Sequence, residues 1–64
     1  MKFKEREAIV SDTIHPRRVG RVRWSGSWWP ARCQHDMTLP PDTIVRVVNI
    51  ENITLWVEPY DLSI

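Results

Sequence analysis

Proline stands at positions 16, 30, 40, 41 and 59, and no window between these positions keeps the i, i+3, i+4, i+7 apolar spacing of a helix face. Proline has no backbone N–H and its ring clashes with the preceding helical turn, so the signals for a helix are poor. The intervals carry short runs of β-branched and aromatic residues, which suit strands.

Five strands are predicted. The first covers residues 5–11, with Ala8, Ile9 and Val10 as its apolar part and Ile9 assigned to the core. The second covers 19–25, where Val22 and Trp24 share one face and Arg21 and Arg23 the other, the period-two alternation of a half-buried strand. Gly26–Ser27 reads as a tight turn. The third strand, 28–34, directs Trp29, Ala31 and Cys33 inward and Trp28, Pro30 and Arg32 outward. Pro30 places that stretch at an edge or a bulge. A loop follows over 35–42 and a fourth strand over 43–49, with Val45 and Val47 inward and Arg46 outward. Glu51–Asn52 is a second turn, and a fifth strand over 53–58 sets Ile53, Leu55 and Val57 against Trp56.

Five short strands at roughly ten-residue spacing predict a small all-β barrel, because closing the sheet removes its exposed edges. The predicted core is Ile9, Val22, Trp24, Trp29, Ala31, Val45, Val47, Leu55 and Val57. With 64 residues, the chain is read as one domain: about 5–59 form the barrel and 60–64 a tail. A chain this short buries only about 60% of its unfolded surface, so the core is modest.

Several function classes are excluded or disfavoured. The single cysteine, Cys33, forms no internal disulfide and no multi-thiolate zinc site. Cys33 with His35 as a nucleophile and base lacks an orienting third group and an oxyanion site. A metal site drawn from Cys33, His35, His15 and Asp36 lacks paired ligand spacing. Ser11, Ser25 and Ser27 sit in no hydrolase frame, and Gly20 and Gly26 form no phosphate loop. The reading is therefore non-enzymatic, with no cofactor. Apolar runs reach three or four residues, far below the roughly 20 of a spanning helix, and the charged stretch 1–7 is no secretory signal. These features predict a soluble, cytoplasmic chain whose membrane contact, if any, is made through a partner.

Charge is segregated. Residues 14–35 hold Arg17, Arg18, Arg21, Arg23 and Arg32 and no acid; residues 36–64 hold Arg46 against Asp36, Asp42, Glu51, Glu58 and Asp61. The outward face of strands two and three is thus basic, although the formal net charge is only +1. By strand parity Trp28 and Trp56 also point outward. Tryptophan and arginine are enriched at protein interfaces, so Trp28, Trp56, Arg21, Arg23 and Arg32 form a candidate partner-binding patch. The alternative is that strand twist or an N-terminal segment covers the two indoles as a small second core. A rival function uses Arg21, Arg23, Trp28 and Arg32 to bind single-stranded nucleic acid by stacking and charge; near-neutrality weakens it.

The order of Ile14-His15-Pro16, Gly20-Arg21-Val22, Gly26-Ser27-Trp28-Trp29-Pro30-Ala31, Val45-Arg46-Val47-Val48 and Leu55-Trp56-Val57-Glu58-Pro59 resembles the C-terminal domain of the NfeD family over about residues 8–59. Asp42 and Asn52 stand where that family usually has glycine, and both residue types tolerate left-handed backbone. The resemblance implies an OB-fold-like five-stranded barrel and a role in membrane-associated assemblies with stomatin- or flotillin-type proteins. Long family members carry membrane helices and some a Ser/Lys protease domain. These residues contain neither, so neither anchoring nor peptidase activity carries over. The family brings no agreed catalytic or ligand residues to this domain.

Overall fold

The structure, a computed structural model, describes residues 6–60. Five strands, β1 (Glu7–Asp12), β2 (Gly20–Trp24), β3 (Ser27–Cys33), β4 (Ile44–Glu51) and β5 (Thr54–Pro59), close in the order β1-β2-β3-β5-β4. The fold is an all-β, five-stranded OB-fold-like barrel. All ladders are antiparallel except β3 with β5, whose parallel pairing runs from Ala31 opposite Leu55 to Cys33 opposite Val57. Glu5, the expected start of β1, and residues 61–64 of the expected tail lie outside the described residues; Tyr60 is half-buried.

The turns explain the strand ends. Ser25 and Gly26 both have positive φ, 54° and 81°, so the two-residue hairpin turn is Ser25–Gly26 and Ser27 already pairs with Trp24. The second hairpin turns at Asn52–Ile53, with Glu51 opposite Thr54. Both turns thus differ by one residue from the sequence expectation. Asp42 and Asn52 do adopt left-handed backbone, at φ 73° and 58°. The Asp42 N–H donates to the Val10 carbonyl at 2.7 Å, and the Val10 N–H donates to Thr43 at 2.9 Å, which locks that turn to β1. Pro30 lies just outside the β3–β5 ladder, so its missing N–H costs that ladder nothing, as its edge reading required.

Ala8, Val10, Ile14, Val22, Ala31, Cys33, Leu39, Val45, Val47, Leu55 and Val57 form the buried core. Three expectations need correction. Ile9 faces solvent, and its neighbours Ala8 and Val10 face in, because Ala8 pairs with inward Val45 and Val10 with inward Val22. Ile53 is exposed, since the turn takes it out of β5. Trp24 and Trp29 are not fully buried. They pack against the core at the hairpin end of β2 and β3, edge to face with ring centroids 5.5 Å apart. A five-stranded barrel is too narrow to swallow two indoles beside its aliphatic filling.

The loops add two residues the alternation did not reveal. Ile14 and Leu39 form an isolated antiparallel bridge, each donating its N–H to the other's carbonyl, at 3.0 and 2.9 Å. Both side chains are buried and close the barrel at the end near Gly20. A bulge in β1 between Val10 and Asp12 turns the chain toward that plug.

Candidate functional site

Strand alternation sends Arg21 and Arg23 of β2, Trp28, Pro30 and Arg32 of β3, and Trp56 of β5 to the outside of the barrel. Register then decides which of them meet. Arg23 lies opposite Trp28, and its guanidinium sits over that indole, 5.4 Å from the ring centroid. Arg32 lies opposite Trp56 across the parallel ladder and covers that ring at the same distance. The five residues expected to form a patch therefore share one outer face, but as two cation–π pairs at different heights, with Arg21 opposite Pro30 between them.

The two pairs differ in freedom. Trp56 is half-buried: its Nε1–H donates to Glu51 Oε1 at 3.1 Å, while Arg32 is held by a 3.1 Å bond from Nη2 to the Arg17 carbonyl. That indole does point outward, but it is pinned and partly covered. Trp28 is 59% exposed and is the free platform of the face. Arg21 sits 3.5 Å from Asp12, and both are well solvated. A shallow groove of about 530 Å³ runs beside Trp28, Pro30 and Arg21, and another of about 340 Å³ beside Arg32, Trp56 and His35. Two exposed isoleucines that sequence reasoning did not place here, Ile9 and Ile44, extend the outer face beyond β2. The clue to Ile9 was the phase of β1, which a run of three apolar residues does not reveal.

Cys33 and His35, weighed above as nucleophile and base, are not placed as such a pair. Cys33 is buried. Burial pushes its thiol pKa up, the His35 backbone hydrogen bond works in the opposite sense, and the Glu58 carboxylate raises it further. The His35 ring turns to Glu58 instead, 3.7 Å from Nε2 to Oε1. No nucleophile–base pair is formed. Among the described residues no group of three or more His, Cys, Asp and Glu is arranged to hold a metal ion. No helix among them is long and apolar enough to cross a membrane.

Glu58 is held between Arg46 and His35. Arg46, its cross-strand neighbour, donates from Nη2 to Oε2 at 2.8 Å, and this bond holds the carboxyl below its usual pKa against some desolvation. A carboxylate with a lowered folded pKa adds stability above its unfolded value of about 4.3 and loses it as pH falls through the folded one. Glu58→Gln is therefore expected to cost about 1 kcal/mol or less near pH 7, and the difference from wild type should vanish near pH 2. Thermal unfolding followed by circular dichroism at the two pH values measures this. An equal difference at both would show that the pair adds nothing through charge.

The comparisons with known proteins bear on the family and the fold. Residues 4–59 match the family described as NfeD-like C-terminal, partner-binding domain. Among solved structures, the soluble domain of a membrane protein implicated in regulation of membrane protease activity from Corynebacterium glutamicum is 30% identical, with a TM-score of 0.78 over 86% of this chain and 87% of that one. The C-terminal domain of a stomatin operon partner protein from Pyrococcus horikoshii shares the fold at 24% identity and a TM-score of 0.77, over 91% of this chain and 88% of that one. None of the curated proteins matches the sequence. The family match across nearly the whole chain decides the assignment: the chain belongs to the NfeD family, as its C-terminal, partner-binding domain.

Proposed function

We propose that this domain is a non-enzymatic docking module for stomatin- or flotillin-type assemblies at membranes, working from the cytoplasmic side, and that Trp28, Trp56, Arg21, Arg23 and Arg32 form the contact face. The observation that carries this reading is the pair of arginine-capped indoles on one outer face, with Trp28 left open to solvent. Tryptophan anchors protein interfaces because its rigid ring buries much area at small conformational cost, and arginine because its planar guanidinium both stacks and hydrogen-bonds. The family's partner-binding description supports a protein partner, and the stomatin operon partner with the same fold favours one of stomatin type.

The test is binding of the chain to a purified stomatin-type protein from the same source. Trp28→Ala is expected to weaken binding by about 30-fold, a loss of about 2 kcal/mol at a central anchor. Wild-type affinity should fall far less steeply with salt than that of a nucleic-acid complex. A chain that ignores the stomatin-type protein but holds single-stranded oligonucleotides with a steep salt dependence contradicts the proposal.

A further inference from the structure

One residue from each of four adjacent strands forms a row across the outside of the barrel. Ile44 of β4 lies opposite Ile9 of β1, Ile9 opposite Arg23 of β2, and Arg23 opposite Trp28 of β3. Directly paired residues send their side chains to the same side of a sheet, so these four stand level. Strands lie about 4.8 Å apart, which makes the row about 14 Å long. Ile44 and Ile9 are 50% and 47% exposed. Adjacent apolar side chains left on water in so small a barrel mark a contact surface. Arg23 interrupts the row, and its guanidinium meets the Trp28 ring. Among the described residues no carboxylate pairs with Arg23, whereas Arg21 has Asp12 and Arg46 has Glu58.

We propose that this row seats an amphipathic helix of a partner protein, with apolar side chains against Ile44, Ile9 and Trp28 and a carboxylate against Arg23. The inference rests on the docking reading above and supplies the chemistry of the docked segment. An added strand is excluded at this level, because β1 is paired with both β4 and β2, and β2 with both β1 and β3; no free edge remains. The partner must read side chains. A helix presents one face at i, i+3, i+4 and i+7 with steps of about 5–6 Å, close to the spacing between strands, and about ten residues span the row. The acid follows from charge. Residues 14–35 hold five arginines and no carboxylate, and a guanidinium covered by a docked helix needs a counter-charge. A second copy meeting this row about a two-fold axis supplies only another arginine.

The experiment selects phage-displayed peptides of about 15 residues, enough for four helical turns, on the immobilised whole chain. Binding of the selected peptide is then measured by fluorescence anisotropy. The expected peptide carries Asp or Glu among apolar residues at helical spacing and becomes helical when bound. Arg23→Glu and Ile9→Asp should each weaken it by about tenfold or more, with Ile44→Asp as the second apolar variant should Ile9→Asp unfold. Exchanging the peptide's acid for lysine should restore binding to Arg23→Glu, and Ile53→Asp, outside the row, should leave affinity within about twofold. Selection of no peptide, or of one indifferent to all row variants, overturns the inference. In the indifferent case the docking function survives on another face. A chain dimer dissolved by Ile9→Asp overturns it in favour of a second copy. Binding only to single-stranded oligonucleotides or phosphatidylserine vesicles overturns both the inference and the docking function.

Discussion

Gly20→Ala is expected to lower the thermal midpoint by about 10–20 °C, a loss of roughly 2–3 kcal/mol. The reason lies in how the β1–β2 connection returns to the sheet. The chain leaves β1 through its bulge and passes so close over the start of β2 that a methyl group on Gly20 would stand 2.6 Å from the Thr13 carbonyl oxygen and 2.8 Å from that of Asp12. These are main-chain atoms and cannot swing aside. The third obstacle, Ile14 Cγ1 at 2.6 Å, belongs to the buried plug that closes the barrel. Relieving the clash means lifting that plug off Leu39. A chain of 64 residues has roughly 3–10 kcal/mol of stability in all, so the loss is a large share. Gly26 provides the control. Its φ is positive at 81° and its side is open, so Gly26→Asn should cost well under 1 kcal/mol. Differential scanning calorimetry of the two variants decides the point. Equal midpoints would mean that the connection is not held against β2 as described.

Leu55→Ala is expected to cost about 2–5 kcal/mol, and Ile53→Ala less than about 0.5 kcal/mol, although the two residues are similar in size and two positions apart. Leu55 is 0% exposed and fills the barrel beside Ala31 across the parallel ladder. Truncation there removes apolar burial and leaves a cavity the surrounding strands cannot collapse around. Ile53 is 66% exposed at the hairpin turn, and its truncation removes almost nothing. Urea unfolding of both variants measures the contrast. A large cost at Ile53 would restore the uninterrupted alternation that the residues alone suggest.

Where the sequence was informative, it was because charge broke the apolar pattern. Arg21 and Arg23 on either side of Val22 fixed the phase of β2, and Arg46 fixed that of β4. Trp28, Trp29 and Pro30 gave β3 its phase only through Ala31 and Cys33, both buried as expected. In β1 the run Ala8-Ile9-Val10 has no polar member, and hydrophobicity favoured the larger Ile9 for the interior. The neighbouring strands decide otherwise, because a one-residue slip turns every side chain over and Val10 must meet Val22. The hairpin turns were visible from Gly26 and Asn52 but only to within one residue, and that single step took Ile53 off the face it was expected to share with Leu55 and Val57. Ile14 and Leu39 were hidden because isolated apolar residues in loops have no periodicity; their burial depends on a bridge between two distant loops. On the outer face, composition pointed to arginine beside tryptophan. It took cross-strand register to show which arginine covers which ring, and that Trp56 is tied down while Trp28 is open.

The outer face of β2 and β3, and not the exposed end of β4, is proposed to receive the partner. Amide chemical-shift mapping of the chain, on adding a purified stomatin-type protein, tests this most directly. The shifts are predicted to concentrate at Arg21, Arg23, Trp28 and Arg32, with Val48 and Ile50 of β4 unmoved. Shifts confined to Val48 and Ile50, with Arg23 and Trp28 unchanged, would contradict it.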